Sequence, residues 1–165
     1  MARIIMLDSG PLWTAIQPRG ASETVDRFHM RLLHHQLNGT IIALPEVIVY
    51  EVRRKRILQR ATAQLRRLDA MCSDRARFTY VPINTEAMTL AADLWADARR
   101  IGRPLSSRRQ GRLPKTPRED IDIDVILAAQ ALGFVGERDK LTVATGNVRH
   151  LDLFVDARDW DEITA

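Results

Sequence analysis

Arg3-Ile4-Ile5-Met6-Leu7-Asp8-Ser9-Gly10-Pro11 opens the chain with a short apolar run that ends on a carboxylate and a turn signal. Four apolar residues in a row, without helical spacing, predict a strand buried on both faces. Gly10-Pro11 breaks the pattern before a short helix carrying Leu12, Trp13 and Ile16. The same grammar recurs downstream. Residues 40–44 predict a second strand, with Pro45 suited to a helix start, residues 77–81 a third ended by Pro82, residues 141–145 a fourth and residues 153–155 a fifth. Between them a helix begins at Ser22, keeps Val25, Phe28, Leu32, Leu33 and Leu37 at helical spacing and ends at Asn38-Gly39. Further helices are predicted over 46 to about 70, over 85–100 with Met88, Ala91, Ala92 and Trp95 on one face and Gly102 as the stop, and over 120–132. Strands alternating with helices predict an α/β fold with a mainly parallel sheet of four to five strands and right-handed crossovers.

At 165 residues the chain is the size of one domain, and we read residues 1–165 as a single unit. Apolar residues at 45% and charged residues at 28% are ordinary for a folded globular protein and argue against long disorder. The longest apolar stretch, 125–135, is interrupted by Gln130 and falls short of the ~20 residues a membrane span needs. Only four apolar residues separate Arg3 from Asp8, too few for a secretory signal, so a cytoplasmic location is expected. Cys72 is the one cysteine, with no partner for a disulfide or a zinc motif, and reads as an inert core thiol. The net charge of +4 hides clustering of the basic residues. Arg53, Arg54, Lys55, Arg56, Arg60, Arg66 and Arg67 fall in one predicted helix, and a run from Arg103 to Arg118 without apolar periodicity predicts an exposed basic loop. Such runs are either solvated faces or the footprint of a polyanion, most simply nucleic acid.

Four oxygen-bearing side chains stand at strand ends or early in the following helices: Asp8, Glu51, Asp124 and Asn147. Open α/β sheets place their ligands there. Each has a plainer role when taken singly. Asp8 and Asp124 can cap helices, Glu51 can pair with Lys55 one turn on, and Asn147 tolerates a turn. Gathered together, they suit Mg²⁺, a hard cation that prefers oxygen ligands and seldom takes more than two carboxylates per ion. Two Mg²⁺ ions carry four positive charges, which three carboxylates and one scissile phosphate would balance. That chemistry is metal-assisted hydrolysis of a phosphodiester. Asp124 near a helix N-terminus would be held ionised by the helix dipole. Asp122 is a further possible ligand, pointing away from the Asp120–Asp124 face if the helix has already begun and capping it if the helix begins there. The four histidines, His29, His34, His35 and His150, lack an i, i+4 pair, which disfavours a helical zinc site.

Four motifs resemble the PIN domain, and in particular the VapC-type toxin ribonucleases: Met6-Leu-Asp8-Ser-Gly-Pro-Leu12, Val47-Ile-Val-Tyr-Glu51-Val-Arg-Arg54, Asp124-Val-Ile-Leu-Ala-Ala-Gln-Ala-Leu132 and Val143-Ala-Thr-Gly-Asn147-Val-Arg-His-Leu151. The last two are the most specific. The resemblance implies a three-layer α/β/α fold and an endoribonuclease dependent on Mg²⁺ or Mn²⁺, often homodimeric and silenced by a cognate antitoxin. It implies Asp8, Glu51 and Asp124 as metal-binding carboxylates and Asn147 at a position that is aspartate in many relatives. It also implies that Thr145 positions a water or a metal ligand. The basic stretch 103–118 is longer than the pattern leads one to expect, and its Arg108 and Arg109, with Arg149 and His150 after Asn147, are the candidates to meet RNA. Two rival readings have their own signatures. An aspartate-based phosphotransfer protein requires a second aspartate two residues after Asp8 or an acidic pair just before it, and Gly10, Met6 and Leu7 stand there instead. A catalytically inert RNA-binding module predicts salt-sensitive RNA binding without metal-dependent cleavage.

Overall fold

The computed structural model describes residues 1–100 and 118–164. Five parallel strands, β1 (Arg3–Leu7), β2 (Ile41–Pro45), β3 (Thr79–Val81), β4 (Lys140–Ala144) and β5 (Ala157–Arg158), form one sheet in the order β3-β2-β1-β4-β5. β1 lies at the centre, and Ile4 to Leu7 are all buried, so both faces of that strand are covered. The apolar run predicted this arrangement, since alternate side chains of a strand point to opposite faces.

The helices are α1 (Ser9–Ala15), α2 (Glu23–Leu37), α3 (Glu46–Leu58), α4 (Thr62–Ser73), α5 (Thr85–Arg100), α6 (Arg118–Phe134) and α7 (Val148–Leu151). The chain steps from β1 to β2 to β3 in one direction, then crosses back to β4 on the other side of β1. Right-handed crossovers put α1 to α4 on one face and α5 and α6 on the other. The cores follow suit. The main one fills the sheet around Met6, Leu12, Leu32, Leu44, Ile48 and Leu68, and a second joins Ala87, Ala91, Leu94 and Ala98 of α5 to Val125, Ala128 and Ala129 of α6.

Ser22 caps α2 by accepting from the Val25 amide, and Gly39, with φ +74°, takes the left-handed residue after its end. α3 has no side chain at its own cap, Pro45. Its Val47 amide is satisfied from another element, by the Oε1 of buried Gln130, whose Nε2 donates to the Val81 carbonyl. The polar interruption in the predicted apolar run is thus a clamp that ties α6 to β3 and to the start of α3.

Four expectations are corrected. The helix expected over 46 to about 70 is two helices, broken at Arg60, which adopts φ +52° with neither glycine nor proline to signal it. The break turns α4 back so that Leu68 and Met71 reach the core, while Ile57 and Leu58 stay exposed. The buried face of α2 is Val25, Phe28, Leu32 and His35, and Leu37 is exposed. The buried face of α5 is likewise turned to Ala87, Ala91, Leu94 and Ala98, leaving Met88 and Trp95 partly exposed, because small residues allow the close approach of α6. The fifth strand lies at Ala157–Arg158, not at 153–155, whose residues turn into the core below α7. Cys72 is half-buried, and burial pushes its thiol up, as suits an unreactive thiol. No helix among the described residues is long and apolar enough to cross a membrane.

His35 closes the fold at its C-terminal end. Its ring packs against Trp160, which stacks on Phe28 at 4.3 Å between centroids. Arg31 donates to the carbonyls of Trp160, Asp161 and Ile163, and Arg3 to that of Thr164. Burial lowers the His35 pKa, with Arg3, Arg31 and His34 adding repulsion. The unfolded chain then binds the proton more readily, so the stability from neutral His35 is present above the ordinary pKa of 6.5 and is lost as pH falls below it. Chemical denaturation at pH 7.5 and pH 5.5 should show a loss at the lower pH in the wild type and a smaller one in His35→Gln.

Candidate active site

The site is built where the strand order reverses, at the C-terminal ends of β1 and β4. Pairing of Met6 with Val143 and of Leu7 with Ala144 brings Asp8 level with Thr145, and the Asp8 amide donates to the Ala144 carbonyl at 3.0 Å. Asp8 is buried and leads into α1, its Oδ1 accepting from the Ser9 amide at 2.6 Å. Its Oδ2 accepts from the hydroxyl of fully buried Thr145, also at 2.6 Å. Thr145 Oγ1 in turn accepts from the Asn147 amide at 2.8 Å. The Asn147 side chain meets His150 Nδ1 at 2.7 Å, and the same nitrogen lies 3.4 Å from Asp124 Oδ2. One chain of contacts thus runs Asp8, Thr145, Asn147, His150, Asp124. Glu51, on α3, is largely buried and near enough to push up the pKa of Asp8, while its Oε1 accepts from Lys55 Nζ at 2.5 Å.

The plainer roles coexist with this gathering: Asp8 caps α1 and Glu51 pairs with Lys55. Asp124 lies in the second turn of a helix that starts at Arg118, beyond the first turn in which the helix dipole acts. Its neighbour there is His150, whose Nδ1 stands 3.4 Å from Asp124 Oδ2. Asp122 is not a cap, since the helix begins earlier, and it is exposed. Arg149 is exposed on α7, and Arg108 and Arg109 lie outside the described residues. The role of His150 beside Asp124 and Asn147 was not legible beforehand. Its three-residue spacing from Asn147 was the available signal, and the link to Asp124 needed the fold.

The polar ligands on offer are oxygens from Asp8, Glu51, Asp124 and Asn147, a set suited to a hard divalent cation and not to zinc. Among the described residues no group of three or more His, Cys, Asp or Glu side chains is arranged to hold a metal ion as it stands. Two of the carboxylates are turned to cationic or protonatable partners within the chain, Lys55 and His150.

No family model and no curated protein matches the sequence. Solved structures do. A chain of VapBC2 from Rickettsia felis, crystallised with a DNA fragment from their promoter, aligns with a TM-score of 0.65 at 16% identity over 96% of this chain and 99% of that one. The chain has a PIN-like fold. DNA-bound VapBC from Salmonella typhimurium gives a TM-score of 0.59 at 19% identity over 97% and 99%, and VapBC-1 from nontypeable Haemophilus influenzae gives 0.60 at 13% over 96% and 99%. At these identities the likeness is one of architecture.

Burial raises the pKa of Asp8, and Glu51 adds to the rise, although the bonds from Thr145 and Ser9 act the other way. A carboxylate with a raised folded pKa costs stability once it is ionised: the folded state binds the proton more tightly, so stability falls as pH rises from the ordinary 3.8 through the folded value. Asp8→Asn should therefore raise the melting temperature at pH 7, by about 2–4 °C if the gain is ~1 kcal/mol in a domain of this size. Calorimetry of the two proteins checks it, and a lower melting temperature in the variant would contradict this account.

Proposed function

We propose that the chain is a Mg²⁺-dependent endoribonuclease, Mn²⁺ serving in its place, and the toxin of a toxin–antitoxin pair. The observation that carries this reading is the convergence of Asp8, Asp124, Asn147 and Thr145 in one line of contacts at the switch point of the sheet, with Glu51 electrostatically coupled to Asp8. The three similar structures are VapBC complexes, which supports a cognate antitoxin as partner. A homodimer in the cytoplasm completes the reading.

Asp8, Glu51, Asp124 and Asn147 would hold the metal. When bound, it supplies an activated water and positive charge for the phosphate under attack. The chain's own contribution is preorganisation. Ser9 and Thr145 each fix one oxygen of Asp8, so the carboxylate is held without rotational freedom. Thr145 also fixes the backbone that carries Asn147, and His150 Nδ1 stands against both the Asn147 side chain and Asp124. Burial of Asp8 keeps bulk water from screening its charge. Arg149 on α7 and the arginines of the 103–118 stretch, Arg108 and Arg109 among them, supply positive charge for the RNA backbone.

Cleavage of total bacterial RNA with 5′-end mapping tests the reading. Discrete ends that require Mg²⁺ are expected. Asp124→Asn should reduce them by more than the roughly 10- to 100-fold that loss of a ligand's supporting partner costs. Salt-sensitive RNA binding by well-folded protein, with no metal-dependent ends, would instead favour an inert binding module.

Lys55 gives a second test. Its half-exposed ammonium neutralises Glu51 and must yield that oxygen to a metal. A pair open to solvent at its ammonium end is weak, so Lys55→Met should tighten Mn²⁺ binding by about two- to fivefold in titration calorimetry. Unchanged affinity would mean that the pair does not compete.

A further inference from the structure

A cleft opens beyond the far end of α1, away from the acidic site that borders its start. Its volume is about 420 Å³, within the range of small-ligand sites. Arg19 comes from the loop after α1, His29 from α2, Arg67 from α4 and Arg77 from the approach to β3, and Asp74 is the one carboxylate among the lining residues. The lining therefore carries three guanidinium groups against one negative charge. Its apolar part is set by Leu32, Met71 and Phe78, all buried.

The arginines are differently committed. Arg67 is half-buried, and its Nε donates to the Ile16 carbonyl at 2.5 Å, which anchors the guanidinium at the end of α1. That bond uses one of its five donors. Arg77 reaches Asp74 only at 4.0 Å, a loose and half-exposed pair. Arg19 makes no hydrogen bond or ion pair among the described residues. His29 Nε2 lies 3.0 Å from the Gln17 carbonyl, and since a carbonyl only accepts, that nitrogen carries the proton. Positive charge from several elements, converging on one concavity with a partly fixed fork and an apolar floor, lacks an internal counter-ion of matching strength. Arginine forks match the oxygens of phosphate in geometry as well as charge.

We propose that this cleft binds a phosphate group, carried either by a free nucleotide or by the 5′ end of an RNA. The phosphate meets Arg19, Arg67 and Arg77, and the apolar floor takes the adjoining sugar or base. The site is independent of the acidic one and does not rest on the nuclease reading.

The test is titration calorimetry on the full chain with inorganic phosphate, with 5′-AMP, and with a short RNA bearing either a 5′-phosphate or a 5′-hydroxyl. EDTA is present throughout, so that metal at the acidic site cannot contribute. Saturable binding of phosphate and AMP is expected, weakened at least about tenfold in Arg19→Ala/Arg77→Ala, as loss of charge-assisted hydrogen bonds requires. Arg27→Ala, which removes an exposed arginine elsewhere on α2, should leave binding unchanged. Asp74→Asn should tighten it, a gain that misfolding cannot mimic. A preference for the 5′-phosphorylated RNA over AMP would identify RNA as the source, and the reverse a nucleotide. No binding by the wild type, or equal binding by the Arg19→Ala/Arg77→Ala variant, would overturn the proposal.

Discussion

The pairing of β1 with β4 is the constraint on which the site depends. These strands are distant in sequence and become neighbours only because the chain crosses back over the sheet after β3. Their register puts Asp8 and Thr145 side by side, one residue past the last paired positions. A slip of one residue would turn every side chain of β1 to the opposite face and carry the carboxylate away from its hydroxyl partner. Four buried side chains on β1 set that register, and the Asp8–Thr145 hydrogen bond follows from it.

The charges around the site show how a fold tolerates buried acids. Asp8 is held by two hydrogen bonds that offset part of its desolvation, yet its pKa stays raised. A buried carboxylate that costs stability is the kind of local compromise seen at functional sites, where stability is exchanged for a preset geometry. Glu51 and Asp124 are instead paired with side chains of their own, Lys55 and His150. Lys55 is half-exposed, so it can give way to another cation without repacking of the core.

Much of the fold was legible because strand burial and helix caps are local signals. The run 3–7, the cap at Ser22, the stop at Gly39 and the span of α5 all stand where pattern and turn chemistry indicated. The misread elements share a cause. Arg60 occupies a left-handed position that glycine normally marks, His35 replaces an aliphatic residue on the buried face of α2, and α5 turns its alanines inward where Met88 and Trp95 carry more hydrophobicity. In each case packing against a distant partner, α4 on the core, the C-terminal turn on α2 and α6 on α5, outweighed intrinsic preference.

The candidate site divides along the same line. Sequence alone determined which residue types were present and where along the chain they stood: hard-oxygen side chains near strand ends, and no thiol or histidine set for zinc. Local order suffices for that, because a strand end is a property of a few consecutive residues. Tertiary structure decided which of them meet, that Thr145 holds Asp8, that His150 stands against Asp124 and Asn147, and that three arginines from separate elements line one cleft. Those relations join residues up to 137 positions apart. They depend on the crossover direction, the register and the packing angle of the helices, none of which is encoded in any single stretch of chain.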